Sequence, residues 1–381
     1  MTREPTVSVL IPSYNHEQWL PHTLDSIIGQ TYRDIEVIVV DDGSTDDSLA
    51  VAKEYAARHP SFIKVFTHAD GANLGISRTD NEAVRRSNGR YLMSLDSDDV
   101  LYEKTIELQV NTLESDPQIG LVYGLADVID SDGRRISSGI GNDTSFDRMP
   151  IEALIQDNVI PAPTVMFRRQ CIARLGAYND NLIASDYELW LRISAHYKIK
   201  FIDKPLAMWR LHSYNASRGI TDDFQFRIRL EALKSVLERA SSIGGALAEP
   251  RIVSMLELEI AYWLKVLGES DQALALITSE KMSPNLTADF QFLVFWLARK
   301  ELGPALWCLD KLEEASRNFP ARPLKSQEQA YKSAIKAVEH YKKGEFLKSF
   351  PMLLKCLWYD ASYTRMVKKL YVLFRCGLKS K

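Results

Sequence analysis

Cysteine is scarce in this chain of 381 residues: Cys171, Cys308, Cys356 and Cys376 are the four present, and none shares a Cys-x-x-Cys spacing. That excludes a thiolate zinc site and supplies no disulfide framework, so a reducing, cytoplasmic setting is expected. An excess of one charge sign is missing as well. The 47 Lys and Arg against 50 Asp and Glu leave a formal net charge of -3, which gives no electrostatic footprint for a nucleic-acid partner. Long apolar runs are absent: none reaches the roughly 18 residues that would mark a membrane span. The apolar run inside MTREPTVSVLIPSYN is too short for the core of a signal peptide. What is present is the composition of a globular protein, 46% hydrophobic and 25% charged, at a length that calls for two domains.

The first two hundred residues alternate β-branched runs with amphipathic helical runs, the signature of a mostly parallel sheet covered by helices. TVSVLI (6–11), IEVIVV (35–40), FIKVFTH (62–68), YLMSLD (91–96) and IGLVYGLADVID (119–130) read as strands, with helices near 17–29, 46–58, 76–88 and 103–115. IEVIVV is apolar on both faces except at Glu36, as a central parallel strand should be, and DSDGRR (130–135) reads as a hairpin turn. From about Thr221 the texture changes to Leu, Ala, Glu and Lys at helical spacing, so residues 1–220 are expected to form the α/β domain and 221–381 an all-α one. Three of the helical segments share a loose pattern (Tyr262-Gly268-Ala273, Trp296-Gly303, Tyr341-Gly344-Ser349), which fits either a plain bundle or a tetratricopeptide-like array. The last stretch, 341–381, holds ten Lys or Arg against two acids, interleaved with Trp358, Tyr359, Tyr363, Tyr371 and Phe374. It suits either an anionic membrane surface or a solvated face.

Open parallel sheets bind ligands at the carboxyl ends of their strands, where loops and helix N-termini converge. Four such ends are polar here: Pro12-Ser13-Tyr14-Asn15, Asp41-Asp42-Gly43-Ser44, the run from His68 to Gly75, and Asp96-Ser97-Asp98-Asp99. Alone, each could be a turn or a helix cap. Together, in order, they describe one site. Asp96 and Asp98 put two hard oxygen ligands one residue apart, which is how Mg²⁺ or Mn²⁺ is held by few carboxylates while phosphate oxygens complete the shell. Three carboxylates so close would otherwise raise one another's pKa at a cost in stability.

The segments SVLIPSYNHEQWLPHTLDSIIGQTYRDIEVIVVDDGSTDDS and NLGISRTDNEAVRRSNGRYLMSLDSDD resemble the family 2 glycosyltransferases over about residues 6–215. The resemblance implies the GT-A fold and an inverting transferase that uses a nucleotide-diphosphate sugar with a divalent cation, Mn²⁺ or Mg²⁺. By position, Pro12, Tyr14 and Glu17 would line the nucleotide pocket, Asp42 would accept from the base, and Asp96 with Ser97 would face the ribose and sugar. Asp98 would bind the metal. In ASDYELWLRISAHY (184–197), Asp186 takes the position of the family's general base, and it also stands where a helix cap would. MWRLHSYNAS (208–217) resembles a late Arg-x-His element that would place His212 at the metal or diphosphate, and PAPTVMFRR (161–169) resembles the acceptor-side segment. Two departures stand out. Ser185 replaces a Glu before the base, and Thr79-Asp80-Asn81 replaces Ala-Arg-Asn, with Arg78 the cation left to assist the nucleotide.

The expected function is therefore metal-assisted transfer of a sugar from a UDP- or dTDP-sugar to a hydroxyl of a glycan or lipid-linked glycan at the cytoplasmic face. A sugar nucleotidyltransferase would need a Gly-rich loop after the first strand, and PSYNHEQWLP has no glycine. A receiver-type domain would carry its acid pair after the first strand instead. A degenerate transferase domain acting as a scaffold through the helical segment is the remaining rival.

Overall fold

The computed structural model describes residues 6–141, 150–213, 215, 222–278, 308 and 311. The chain divides into two compact units, Met1–Ala248 and Glu249–Lys381. The segments around Trp296 and Tyr341 and the basic stretch 341–381 lie outside the described residues.

The first unit opens β1 (Val7–Ser13), α1 (Leu20–Ile28), β2 (Ile35–Asp41), α2 (Ser48–Arg58), β3 (Ile63–Thr67), α3 (Ile76–Arg86) and β4 (Tyr91–Ser94). It continues with β5 (Val100–Leu101), α4 (Thr105–Ser115), β6 (Ile119–Ile129), β7 (Arg135–Ile140), α5 (Pro150–Gln156) and β8 (Met166–Arg168). It closes with α6 (Arg169–Leu175), α7 (Ser185–Ser194), β9 (Lys198–Arg210) and α8 (Asp222–Ile243). Among the described residues the strands form one sheet in the order β3-β2-β1-β4-β8-β6-β9-β5, with β7 paired to β6. The β3-β2-β1-β4 half is parallel, as is β6 on β9, while β8 runs antiparallel between β4 and β6.

Alternation of apolar residues on both faces is what buries β1 and β2. Val7, Val9 and Ile11 pack with Val37 and Val39 under Leu20, Leu24 and Ile27 of α1, and Tyr91, Met93 and Leu95 continue that layer toward Ile106, Val110 and Leu113 of α4. Each such side chain contributes roughly 1.5–3 kcal/mol by leaving water. Glu36, the charge near the start of β2, is buried and satisfied: Ser8 Oγ donates to it at 2.7 Å and Lys64 Nζ at 2.9 Å. The β6–β7 hairpin turns at 130–134, where Asp130 and Arg134 pair through their backbones.

β8 is too short to carry a strand pattern, whereas β9 opens on the alternating run KIKFI (198–202) and loses the alternation after it. β8 has only three residues, next to the short helical turn Ala162–Thr164. β9 contains Asp203-Lys204-Pro205, and its pairing with β6 jumps from Ile202 to Pro205 opposite Gly124 and Leu125. A proline is accommodated in a strand at such a bulge because no ladder N–H is needed there. Helix α8 has the composition of the chain's helical half but belongs to the first unit, where it packs on α7. In the second unit α9 (Pro250–Val266) and α10 (Ser270–Ile277) pack against each other.

Candidate active site

The parallel half of the sheet aligns Ser13 with Asp41 and Leu10 with Ser94, so the loops after β1, β2 and β4 open on one edge. Pro12 is buried in β1, beyond the point where pairing with β4 stops. Its missing N–H is not required on that side. The loops after β1 and β2 clasp each other. Asn15, at φ 53, accepts the Thr45 N–H at 2.8 Å, the His16 N–H donates to Ser48 Oγ at 2.8 Å, and Glu17 accepts the Asp47 N–H at 2.7 Å. Tyr14 stands 44% exposed at the tip.

Asp42 is buried, and its oxygens accept the N–H groups of Leu74 at 2.7 Å and Gly75 at 3.0 Å. His68 Nε2 stands 3.4 Å from Oδ1. The loop it grips passes so close that a Cβ on Gly43 would lie 2.5 Å from the Gly71 carbonyl oxygen, and Gly43 itself sits at φ 73. Only glycine satisfies both conditions.

After β4, Asp98 is buried and its Oδ2 meets His212 Nε2 at 2.7 Å and accepts from Asn215 Nδ2 at 3.1 Å. Its Oδ1 is 3.9 Å from His16 Nδ1, which also meets the Ser97 hydroxyl at 2.8 Å. Trp19 stacks on His212 at 3.8 Å between ring centroids and holds that ring in place. Arg210 does not reach into the site: it is fully buried and its Nε donates to the Asp98 carbonyl at 2.8 Å. Asp99 uses one oxygen to accept the Arg210 N–H at 2.8 Å, and its other oxygen is buried with no hydrogen-bond partner among the described residues.

Asp186 lies in the first turn of α7, where the backbone N–H groups of Tyr187 and of Asp186 itself approach its carboxylate. Ser185 points away from it into the interior and meets Ser77 Oγ of α3 at 2.7 Å, while Ser77 donates to the Leu182 carbonyl at 2.6 Å. Asp80, one turn along α3, is buried and accepts from Ser94 Oγ at 2.8 Å. Asn81 clamps the loop before α7, donating to the Tyr178 carbonyl at 2.8 Å and accepting its N–H at 3.0 Å. Arg78, by contrast, is exposed on α3 with no ion pair among the described residues.

The acids of this region feel one another. Burial raises the Asp96 carboxyl well above its ordinary value, and the charges of Asp98, Asp80 and Asp186 add to the rise. Burial, then Asp98 and Asp96, does the same to Asp99. Asp80 is pushed to about 7, by burial first and then by Asp186, and Asp186 is raised by burial. His16 is held below its ordinary range by burial, against the pull of Asp98. So much unbalanced negative potential fits a cation. Two groups of residues could hold one: Asp96, Asp98 and Asp99, or His16, Asp98 and His212, each with its ligand atoms within 4.8 Å of one another. The orphaned Asp99 oxygen is independent evidence that the local hydrogen bonds do not exhaust the site.

A protein-family model, "Glycosyl transferase family 2", matches residues 8–176. The chain carries a family 2 glycosyltransferase domain. The domain aligns with the chondroitin synthase of Escherichia coli at 32% identity over 57% of this chain, a stretch that makes up 30% of that synthase. In fold the chain is similar to TarS 1-349 of S. aureus, solved in complex with UDP-GlcNAc, with a TM-score of 0.60 at 17% identity over 89% of this chain and 92% of that one. It is also similar to the mannosyltransferase PcManGT of Pyrobaculum calidifontis, solved with GDP-Man and Mn²⁺, with a TM-score of 0.52 at 18% identity over 94% and 89%. The mixed, mostly parallel sheet followed by helices is thus the GT-A-like architecture.

Within the glycosyltransferase domain, Asp96, Ser97, Asp98 and His212 come together after β4, with Asp186 in electrostatic reach. Asp42, Tyr14 and Glu17 belong to the loops after β1 and β2. Sequence reading missed His16 and Trp19, although both lie in PSYNHEQW. The available signal was that an aromatic pair and an imidazole follow a strand end already marked as ligand-facing. Among the described residues no helix is long and apolar enough to cross a membrane, and Cys171 and Cys308 are free thiols, while Cys356 and Cys376 lie outside them.

Proposed function

We propose that the domain transfers a sugar from a UDP- or dTDP-sugar to a hydroxyl of a glycan or lipid-linked glycan, with inversion, in a single displacement. The observation that carries this reading is the juxtaposition of Asp186 with the Asp96–Asp98 group at the end of β4, close enough for their charges to interact. The donors in the complexes of the two structural relatives, UDP-GlcNAc and GDP-Man, support a nucleotide-sugar in this chain as well. Asp98 and His212 would hold Mn²⁺ or Mg²⁺, which when bound neutralises charge on the departing diphosphate. Asp96 and Ser97 orient the ribose and sugar. Pro12 at the end of β1, Tyr14 and Glu17 in the loop after it, and the buried Asp42 take the nucleotide, and Arg78 is free to approach the phosphates. Asp186 receives the proton of the acceptor hydroxyl as the new bond develops. We place the reaction in the cytoplasm, with the basic stretch 341–381 as its contact with anionic lipid.

The test is nucleoside diphosphate release from a panel of UDP-, dTDP- and GDP-sugars, with wild type beside Asp98→Asn. One donor is expected to be hydrolysed slowly, in a metal-dependent way, with a loss on the order of 10²-fold in the variant. No turnover and no metal-dependent nucleotide binding with any donor would contradict the reading and leave the scaffold role.

A further inference from the structure

We propose that His16 is a third protein ligand to the divalent cation, completing a site of two imidazoles and one carboxylate with Asp98 and His212. The inference rests on the reading of Asp98 and His212 as the metal end of the donor site. It goes beyond that reading by assigning a ligand from the loop after β1, which faces Asp98 Oδ1 while the late His212 faces Oδ2.

The separations suit three ligands of one ion. His212 Nε2 lies 2.7 Å from Asp98 Oδ2, His16 Nδ1 lies 3.9 Å from Asp98 Oδ1, and all three ligand atoms fall within 4.8 Å of one another. Two atoms each about 2.1–2.2 Å from one ion stand about 3 Å apart at right angles and a little over 4 Å apart across it. The observed 2.7 and 3.9 Å run from just under that range to near its upper end, so small rotations suffice. The two rings are 5.4 Å apart and nearly perpendicular, at 86°, so their nitrogens converge on Asp98 without stacking against each other.

Packing holds each imidazole in place. The backbone N–H of His16 is tied to Ser48 at the start of α2 and its ring packs edge-on to Trp19, while the Ser97 hydroxyl, 2.8 Å from Nδ1, occupies the position that the cation would take over. His212 is stacked on Trp19. One tryptophan therefore braces both rings, and its Nε1 is anchored on the Ser131 carbonyl at 3.1 Å.

Two consequences distinguish this site from one built on Asp98 and His212 alone. Three protein ligands can hold the cation before any nucleotide arrives, whereas a site with fewer depends on phosphate oxygens to complete its shell. Two imidazoles also favour Mn²⁺ and other transition metals over Mg²⁺, which prefers oxygen and water.

The experiment titrates Mn²⁺ into the metal-stripped full chain, with and without UDP, reading free Mn²⁺ by electron paramagnetic resonance. Pulsed measurements on the bound ion then count coupled imidazole nitrogens. The proposal expects one Mn²⁺ bound without nucleotide, two nitrogen couplings, and retention against about a tenfold excess of Mg²⁺. His16→Ala should weaken binding at least about tenfold and leave one coupling. A single coupling in wild type, or Mn²⁺ binding only when UDP is present, overturns the role of His16 and leaves the proposed transferase function standing. No Mn²⁺ binding with or without UDP overturns both. The wild-type nitrogen count decides the matter even if His16→Ala fails to fold.

Discussion

Ser185 and Asp80 stand where the family resemblance has Glu and Arg, and their surroundings give the two substitutions different meanings. Ser185 is absorbed into packing: its hydroxyl bonds Ser77 and joins the start of α7 to the start of α3. Asp80 instead adds a buried carboxyl beside Asp96 and Asp186, satisfied by one bond from Ser94. Its folded value of about 7 lies above the unfolded value of 3.8, so the folded state takes up a proton that the unfolded state does not hold between those limits. Stability conferred by that proton is full below the lower value and is lost as pH rises through the upper one. In EDTA the wild type should lose stability between pH 4 and pH 8, and Asp80→Asn should flatten that slope and be more stable at pH 8 by roughly 2–4 kcal/mol. Urea unfolding at several pH values measures it, and an unchanged slope in the variant would show that Asp80 is ionised and compensated.

At the scale of elements, the residues that carry chemistry are few and the ties that place them are many. Helix α7 holds Asp186 and is fixed on three sides: by Ser77 of α3, by Arg239 of α8 on Glu188 at 3.2 Å, and by the buried Arg192. Arg192 pairs with Glu188 at 2.6 Å and donates to the carbonyls of Leu175, Gly176 and Ala177, the loop that leads to Tyr178. Arg192→Met would leave Glu188 a buried charge that has lost its main partner, at a cost of about 3–5 kcal/mol. Thermal and urea unfolding should show that loss, and a change under about 1 kcal/mol would mean that Arg239 alone suffices. The parallel strands, the first four helices and the acidic strand ends were legible in the sequence because each depends on local periodicity and local turn chemistry. β8, the bulged later part of β9, His16 and Trp19 were not, since what defines them is pairing with distant segments. β8 is three residues long, β9 is bulged at Pro205, and His16 acquires a role only when Asp98 and His212 arrive beside it.

In the whole molecule, the change of composition near residue 220 and the division between compact units at Ala248 and Glu249 mark different things. Helix α8 shares its texture with the second unit, yet its Leu230, Leu233 and Val236 are buried in the unit that contains α7. The helix thus supports the element that carries Asp186, and the first unit is larger than the run of strand and helix alternation suggested. The aligned stretch of the E. coli chondroitin synthase is under a third of that protein, so acceptor and product follow from this chain's own site and not from the name of a longer relative. The central claim is that one site joins a donor-binding strand edge to a general base on α7. Comparing wild type with Asp186→Asn tests it most directly, with nucleotide affinity and turnover measured on the same samples. The account predicts nucleotide binding in the presence of Mn²⁺ unchanged within about threefold, and turnover to an acceptor lowered by roughly 10²–10⁴. Turnover retained in the variant, or binding and turnover lost in equal measure, would contradict it.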